Sequence, residues 1–126
     1  MPRCATFTGS VRCLRSRFAT AARSGSCCAA GIPGAWKVIA EGREAGTAGI
    51  FRPNGEVREG LIGEIVHEID SDRIMFDAPR KAQQVWFVRR FGADVNLGNI
   101  AAADVLALET LRLGLRSDTL ATGRSG

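Results

Sequence analysis

Apolar and polar positions follow two alternating periods along residues 36–120. Residues 36–40 (Trp-Lys-Val-Ile-Ala), 73–76 (Arg-Ile-Met-Phe) and 94–97 (Asp-Val-Asn-Leu) are short stretches rich in apolar and β-branched side chains. Each predicts a strand, and each ends on polar residues or glycine: Glu41-Gly42, Asp77 and Gly98-Asn99. Between them the period lengthens to that of a helix. Leu61, Ile62, Ile65, Val66 and Ile69 recur on one face, with Glu64 and Glu68 facing out. Residues 80–91 predict a second helix packed through Ala82, Val85, Trp86 and Val88, and residues 103–113 a third, with Leu108, Leu111 and Leu115 spaced by three and four. Gly92 and Gly114 stand where these helices should stop, and Pro53-Asn54-Gly55 marks a turn in the long connection 45–57. His67 falls on the polar side of the first helix and is expected at the surface. Strand alternating with helix three times over is the pattern of a parallel α/β sheet. Three such units cannot close a barrel, which takes eight, and they leave an unpaired edge and an uncovered face. The stretch is therefore either a small open α/β domain or part of something larger.

Composition narrows this. Of 126 residues, 45% are apolar and 24% charged, close to globular averages, which excludes a wholly disordered, collagen-like or disulfide-framework chain. No apolar run approaches the roughly 18–20 residues a membrane span needs, so a membrane protein is not expected. The net charge of +4 is not evenly spread. Arg3, Arg12, Arg15, Arg17 and Arg23 lie within residues 1–35, which carry no Asp or Glu, so the remainder is nearly neutral. Cys4, Cys13, Cys27 and Cys28 fall in the same stretch without a C-x-x-C pair, far from His67, which disfavours zinc. A body free of cysteine fits a reducing, cytoplasmic setting. Residues 1–33, rich in Arg, Ser, Ala and Cys, are expected to be poorly ordered and to add no regular strand to the body. The same composition is shared by organelle transit peptides and by a stretch foreign to the gene, and these readings stay open beside it. Few aromatics interleave with the arginines and no nucleic-acid-binding motif is visible, so no nucleic-acid partner is expected. Residues 121–126 read as a tail.

Several separate motifs then point to one family. Lys37-Val-Ile-Ala-Glu-Gly-Arg-Glu44 with Gly46-Thr47 and Gly49-Ile50 resembles the phosphosulfolactate synthase family. So do Ile74-Met-Phe-Asp-Ala-Pro79 with Lys81, Gln83 and Gln84, then Val95-Asn-Leu-Gly-Asn-Ile100, and finally residues 108–119, which end in the Leu-Arg-Ser-Asp-Thr tail of a bacterial branch. The motifs occur in order over residues 34–120. Asp77 departs from the usual Glu before Ala-Pro, Ala93 stands where proline is common, and residues 101–107 lack the usual prolines. The resemblance implies a partial TIM (β/α)8 barrel whose last three βα units are residues 34–120, with the first five units absent. It implies addition of sulfite to phosphoenolpyruvate, giving phosphosulfolactate, a carbon–sulfur lyase-class reaction of coenzyme M biosynthesis that uses Mg²⁺. A non-catalytic barrel remnant, or a relative acting on another phosphorylated acid or sulfonate, is the alternative.

That chemistry makes demands the residues can be held against. Three anionic groups must be brought together, and charge develops on the substrate carboxylate as sulfite adds. In a barrel the groups that answer these demands sit at the carboxyl ends of strands. Glu41 and Asp77 are the expected Mg²⁺ ligands, and Glu41, Arg43 and Lys81 the expected catalytic residues. Asn96, Gly98, Asn99 and Arg112 are expected to bind substrate, the glycine and asparagine through phosphate contacts ahead of a helix. Each has a plainer alternative: a Glu41–Arg43 ion pair, a helix cap at Asp77, a solvated charge at Lys81, a backbone tie at Asn96, and a Glu109–Arg112 pair on the last helix. Glu41, Asp77 and Asn96 are expected at one end of the sheet with Arg43 in reach. A half-open sheet is expected to self-associate, and the isolated chain to show little turnover.

Overall fold

The computed structural model describes the backbone of residues 11–15 and residues 35–120. Its elements are β1 (Val11–Arg15), β2 (Ala35–Ala40), α1 (Glu59–Glu68), β3 (Ile74–Asp77), α2 (Lys81–Phe91), β4 (Leu97–Gly98) and α3 (Val105–Arg112). Single 3-10 turns, Ser71–Arg73 and Ala102–Asp104, lead into β3 and α3. The sheet order is β1-β2-β3-β4. β2, β3 and β4 run parallel, with Val38 opposite Ile74, Ala40 opposite Phe76, and Asp77 opposite Gly98. The three strands and three helices read from the periodicity are all present, in the expected order. Gly92 and Gly114 both take positive φ, 94° and 71°, where α2 and α3 stop.

β1 corrects an expectation. Val11–Arg15 is a strand paired antiparallel to β2, from Val11 opposite Ala40 to Arg15 opposite Ala35. The absence of acids and the scarcity of large apolar residues argue against a strand, but the outer edge of β2 offers a row of backbone groups that need partners whatever the side chains are. The rest of residues 1–33, and residues 121–126, lie outside the described residues.

Alternation along the parallel strands separates two faces. Ala40, Ile74 and Phe76 are fully buried, and with Leu97 they face α1 and α2. Phe76 stacks on Phe87 (centroids 4.7 Å apart) and on Phe91 (5.2 Å), and Ile62 and Ile65 of α1 complete this core. The opposite face presents Lys37, Ile39, Glu41, Met75, Asp77 and Asn96, all half-buried.

The buried side of α2 differs from its apolar period. Ala82 is exposed and Val85 half-buried, while Gln83 and Gln84 are inside with Phe87 and Val88. The glutamines are inside because each satisfies backbone. Gln84 Nε2 donates to Ala78 O (3.0 Å), and Gln83 Nε2 donates to Gly46 O (2.9 Å) and Gly55 O (3.0 Å). α3 turns Leu108 and Leu111 inward and leaves Val105, Leu106 and Leu113 exposed. Its C-terminal stretch folds back: Thr119 Oγ1 donates to Leu111 O (2.7 Å), and Arg89 Nε donates to Asp118 O (2.6 Å). No helix among the described residues is long and apolar enough to cross a membrane.

Candidate functional site

The carboxyl end of the parallel strands is built by the loop that follows β2. Glu41 follows the last residue of β2, and its carbonyl accepts from Ile50 N (3.1 Å), so the loop returns onto the strand it left. Gly42 is buried with no room for a side chain, because a Cβ there would lie 2.3 Å from the Phe51 ring. Further along, Arg52 N donates to Glu56 O (2.8 Å) across the Pro53-Asn54-Gly55 turn. Buried Gln83 holds both arms of the loop through Gly46 and Gly55, and its own Oε1 accepts from Arg80 N (3.1 Å). A single α2 side chain thereby sets the position of the loop relative to β3.

Asp77 is the centre of this end. Its Oδ2 accepts from Gly42 N (3.0 Å), and a Cβ on Gly98 would lie 3.5 Å from its Oδ1. Desolvation raises the Asp77 carboxyl above the ordinary carboxylate range; the Gly42 N–H opposes this, and the nearby Glu41 charge adds to it. A carboxyl with a raised native pKa holds its proton more tightly folded than unfolded. It therefore subtracts stability at neutral pH, and that penalty disappears as pH falls from its native value through its ordinary one. Asp77→Asn keeps an acceptor for Gly42 and removes the charge. It should be at least as stable as the unmodified chain at pH 7, the two converging in acid. Asp77→Ala strands the Gly42 N–H and should cost about 1–2 kcal/mol in acid and less at pH 7, where it also removes the desolvated charge. Urea denaturation across the acidic range checks both, and a pH-independent difference for Asp77→Asn would remove the basis for the raised pKa.

Two residues on this rim take a backbone conformation unusual for them. Arg43 (φ 57°) and Asn99 (φ 56°) are the non-glycine residues with positive φ among the described residues. The left-handed region costs a side-chain-bearing residue roughly 1–2 kcal/mol, and asparagine tolerates it better than arginine. They are joined across the end of β3, since Asn99 Nδ2 donates to Arg43 O (3.1 Å), which also accepts from Gly46 N (3.1 Å). Both are exposed. Glu41, Arg43, Asp77, Gly98 and Asn99 thus collect at one end of the sheet, without the Asn96 expected beside Glu41 and Asp77.

Two expected site residues lie elsewhere, and a third is engaged in an ion pair. Asn96 shares the face of Glu41 and Asp77 but reaches toward the amino end of the strands. Its Nδ2 donates to Asp72 O (3.1 Å), and its Oδ1 accepts from Lys37 Nζ (2.8 Å), which crosses over β3. The reason is register: Leu97, not Asn96, is level with Phe76. Arg112, near the end of α3, donates to Ala93 O in the α2–β4 connection, again away from the strand ends. Lys81 opens α2 on the correct side of the sheet but pairs with Asp118 (2.8 Å), and both side chains are substantially exposed. This attraction holds the Asp118 carboxyl below its usual range. Lys37 and Gln83 were not singled out from their chemistry; Lys37 could have been found from its alternation with Ile39 and Glu41.

Among the described residues no group of three or more His, Cys, Asp or Glu could hold a metal ion. The Glu41–Asp77 pair is a smaller donor set. A surface hollow lined by Glu59, Ile62, Val66, Trp86, Arg90 and Phe91 lies on the helix side and not at the strand ends.

The sequence model of a family described as (2R)-phospho-3-sulfolactate synthase (ComA) matches residues 19–118. The phosphosulfolactate synthase of Bacillus subtilis (strain 168) is 52% identical over 87 residues, which is 68% of this chain and 34% of that protein. Its counterpart in Methanocaldococcus jannaschii is 48% identical over 87 residues, 68% of this chain and 35% of that protein. The Methanothermobacter thermautotrophicus enzyme of the same name is 47% identical over 88 residues, 69% and 34% of the two chains. The chain spans about a third of the length of these curated relatives.

Proposed function

The chain belongs to the (2R)-phospho-3-sulfolactate synthase family, and on that premise we propose that the carboxyl end of its parallel strands is one wall of a site that adds sulfite to phosphoenolpyruvate. The observation that carries this reading is the gathering of Glu41, Arg43, Asp77 and Asn99 on that rim, with the Gly42 N–H aimed at Asp77. In this reading β2, β3 and β4 with their helices are the last three βα units of a (β/α)8 barrel. Their parallel order and the one-sided cover by α1 and α2 support it. Antiparallel β1 is foreign to such a barrel and favours, as a second reading, a remnant that no longer closes a site.

The reaction joins the sulfur of sulfite to the methylene carbon of phosphoenolpyruvate. The π electrons of the double bond pass to the substrate carboxylate in an enolate-like species, and the central carbon then takes a proton, so that phosphate is retained in phosphosulfolactate. Arg43 supplies a cation against the repulsion of phosphate, carboxylate and sulfite. Gly98 lets Met75 and the Asp77 carboxyl pack close against the β4 backbone, and Gly42 fixes the orientation of that carboxyl. Two crowded carboxylates, one of them desolvated, suit Mg²⁺, which binds through one or two protein carboxylates with substrate and water completing the shell. Glu41 and Asp77 would hold it, and when bound it supplies Lewis-acid stabilisation of the substrate carboxylate. Coenzyme M biosynthesis and a cytoplasmic setting follow from the same reading.

The test is a chimera in which residues 34–120 replace the matching stretch of the Methanocaldococcus jannaschii relative, assayed for phosphosulfolactate with phosphoenolpyruvate, sulfite and Mg²⁺. Turnover within about tenfold of the parent is expected. A folded, inert chimera would sink the proposal and favour the remnant. The isolated chain should turn over orders of magnitude more slowly, since a single general acid commonly contributes about 10²–10⁴-fold.

A further inference from the structure

We propose that Asn99 is a positioning residue for anionic substrate, holding the Arg43 backbone so that its guanidinium is presented from a rigid base. The inference rests on the site reading above. Arg43 and Asn99 are 56 positions apart, on the loops that leave β2 and β4, yet each adopts left-handed backbone and the side chain of one binds the carbonyl of the other. An exposed hydrogen bond exchanges readily with water and returns little stability. As a stabilising device this arrangement is therefore poor, because it spends two unfavourable backbone conformations on one exposed contact. As an orienting device it is effective. The Arg43 carbonyl is gripped by Asn99 Nδ2 and by Gly46 N, and Gly46 is in turn held by buried Gln83. The main chain of Arg43 is thus fixed from both sides while its side chain stays exposed. Flexible arginine side chains lose entropy when they clamp an anion, and a fixed base lowers that loss. Asn99 does not need to touch the substrate to act in this way, since its Nδ2 already donates to the Arg43 carbonyl.

The full 126-residue chain can be titrated with phosphoenolpyruvate, and separately with inorganic phosphate, by calorimetry. Asn99→Ala, Asn99→Gly, Arg43→Gln and the Asn99→Ala/Arg43→Gln double variant would be compared. Asn99→Gly keeps the left-handed backbone accessible and removes only the donor, so its denaturation midpoint should match the unmodified chain. Both Asn99 variants should weaken phosphoenolpyruvate binding about fivefold. In the double variant the Asn99 change should add nothing to the loss already caused by Arg43→Gln. Multiplicative losses in the double variant, or reduced stability with unchanged affinity, would mean a purely structural tie and overturn the inference alone. No binding by the unmodified chain would overturn the inference for this chain and leave the site reading to the chimera, whereas binding that Arg43→Gln leaves intact would overturn both.

Discussion

Gly49→Ala should lower stability by about 3 kcal/mol, more than any other single-methyl addition on the rim. Gly49 has φ 63°, where alanine is strained by roughly 1–2 kcal/mol. Its added Cβ would lie 2.0 Å from the Glu41 carbonyl oxygen, a backbone atom that cannot rotate aside. Relief requires the loop to move off β2, breaking the bond from Ile50 N to Glu41 O and leaving the N–H of a fully buried residue unpaired. An unsatisfied buried donor costs a further 1–3 kcal/mol. A shift in the urea midpoint at unchanged slope is the measurement. A loss below about 1 kcal/mol would mean that the loop does not rest on the strand as described. Because Ile50 and Phe51 lead back into the core, the Asp77–Gly42 contact should loosen in the same variant.

Gln83→Leu, nearly equal in size, should also cost about 3 kcal/mol. The amide makes three bonds to backbone, at Gly46, Gly55 and Arg80, and leucine makes none. The added hydrophobicity of leucine offsets only part of this, since the stranded carbonyls are drawn from buried or half-buried glycines. Amide hydrogen exchange distinguishes this loss from a general one. Protection should fall across residues 43–57 while the β2–β3 ladder keeps its own. Uniform loss of protection, or a cost under about 1 kcal/mol, would show that Gln83 is not what anchors the loop.

These two positions also mark where reading the residues succeeded and where it did not. Strand ends were legible because a switch from β-branched residues to Glu41-Gly42, Asp77 and Gly98-Asn99 is local. The family motifs were legible because they run in order through the chain. The apolar period misplaces the face of α2 because polarity is a poor guide to burial when a glutamine has backbone to satisfy, and the partners of Gln83 are 37 and 28 positions away. Asn96 was placed at the wrong end because side-chain direction there depends on a register of two residue pairs between β3 and β4. The Lys81–Asp118 pair and the Arg112–Ala93 contact both depend on how α3 and its return segment fold against α2, which no short-range pattern encodes. Arg43 was singled out for its charge, yet the left-handed backbone that makes it unusual is not visible in a sequence where arginine is ordinarily helical or extended.

The antiparallel strand on the edge of β2 has a stoichiometric meaning. A strand edge has one set of outward N–H and C=O groups and can be occupied once. Val11–Arg15 uses this set, from Ala40 back to Ala35. A parallel strand on that edge of β2, as the proposed barrel would require, would need the same groups. The two partners are therefore competing ligands for one receptor. A tethered occupant acts at high effective concentration, so in the proposed barrel any parallel neighbour of β2 would first have to displace this intramolecular strand.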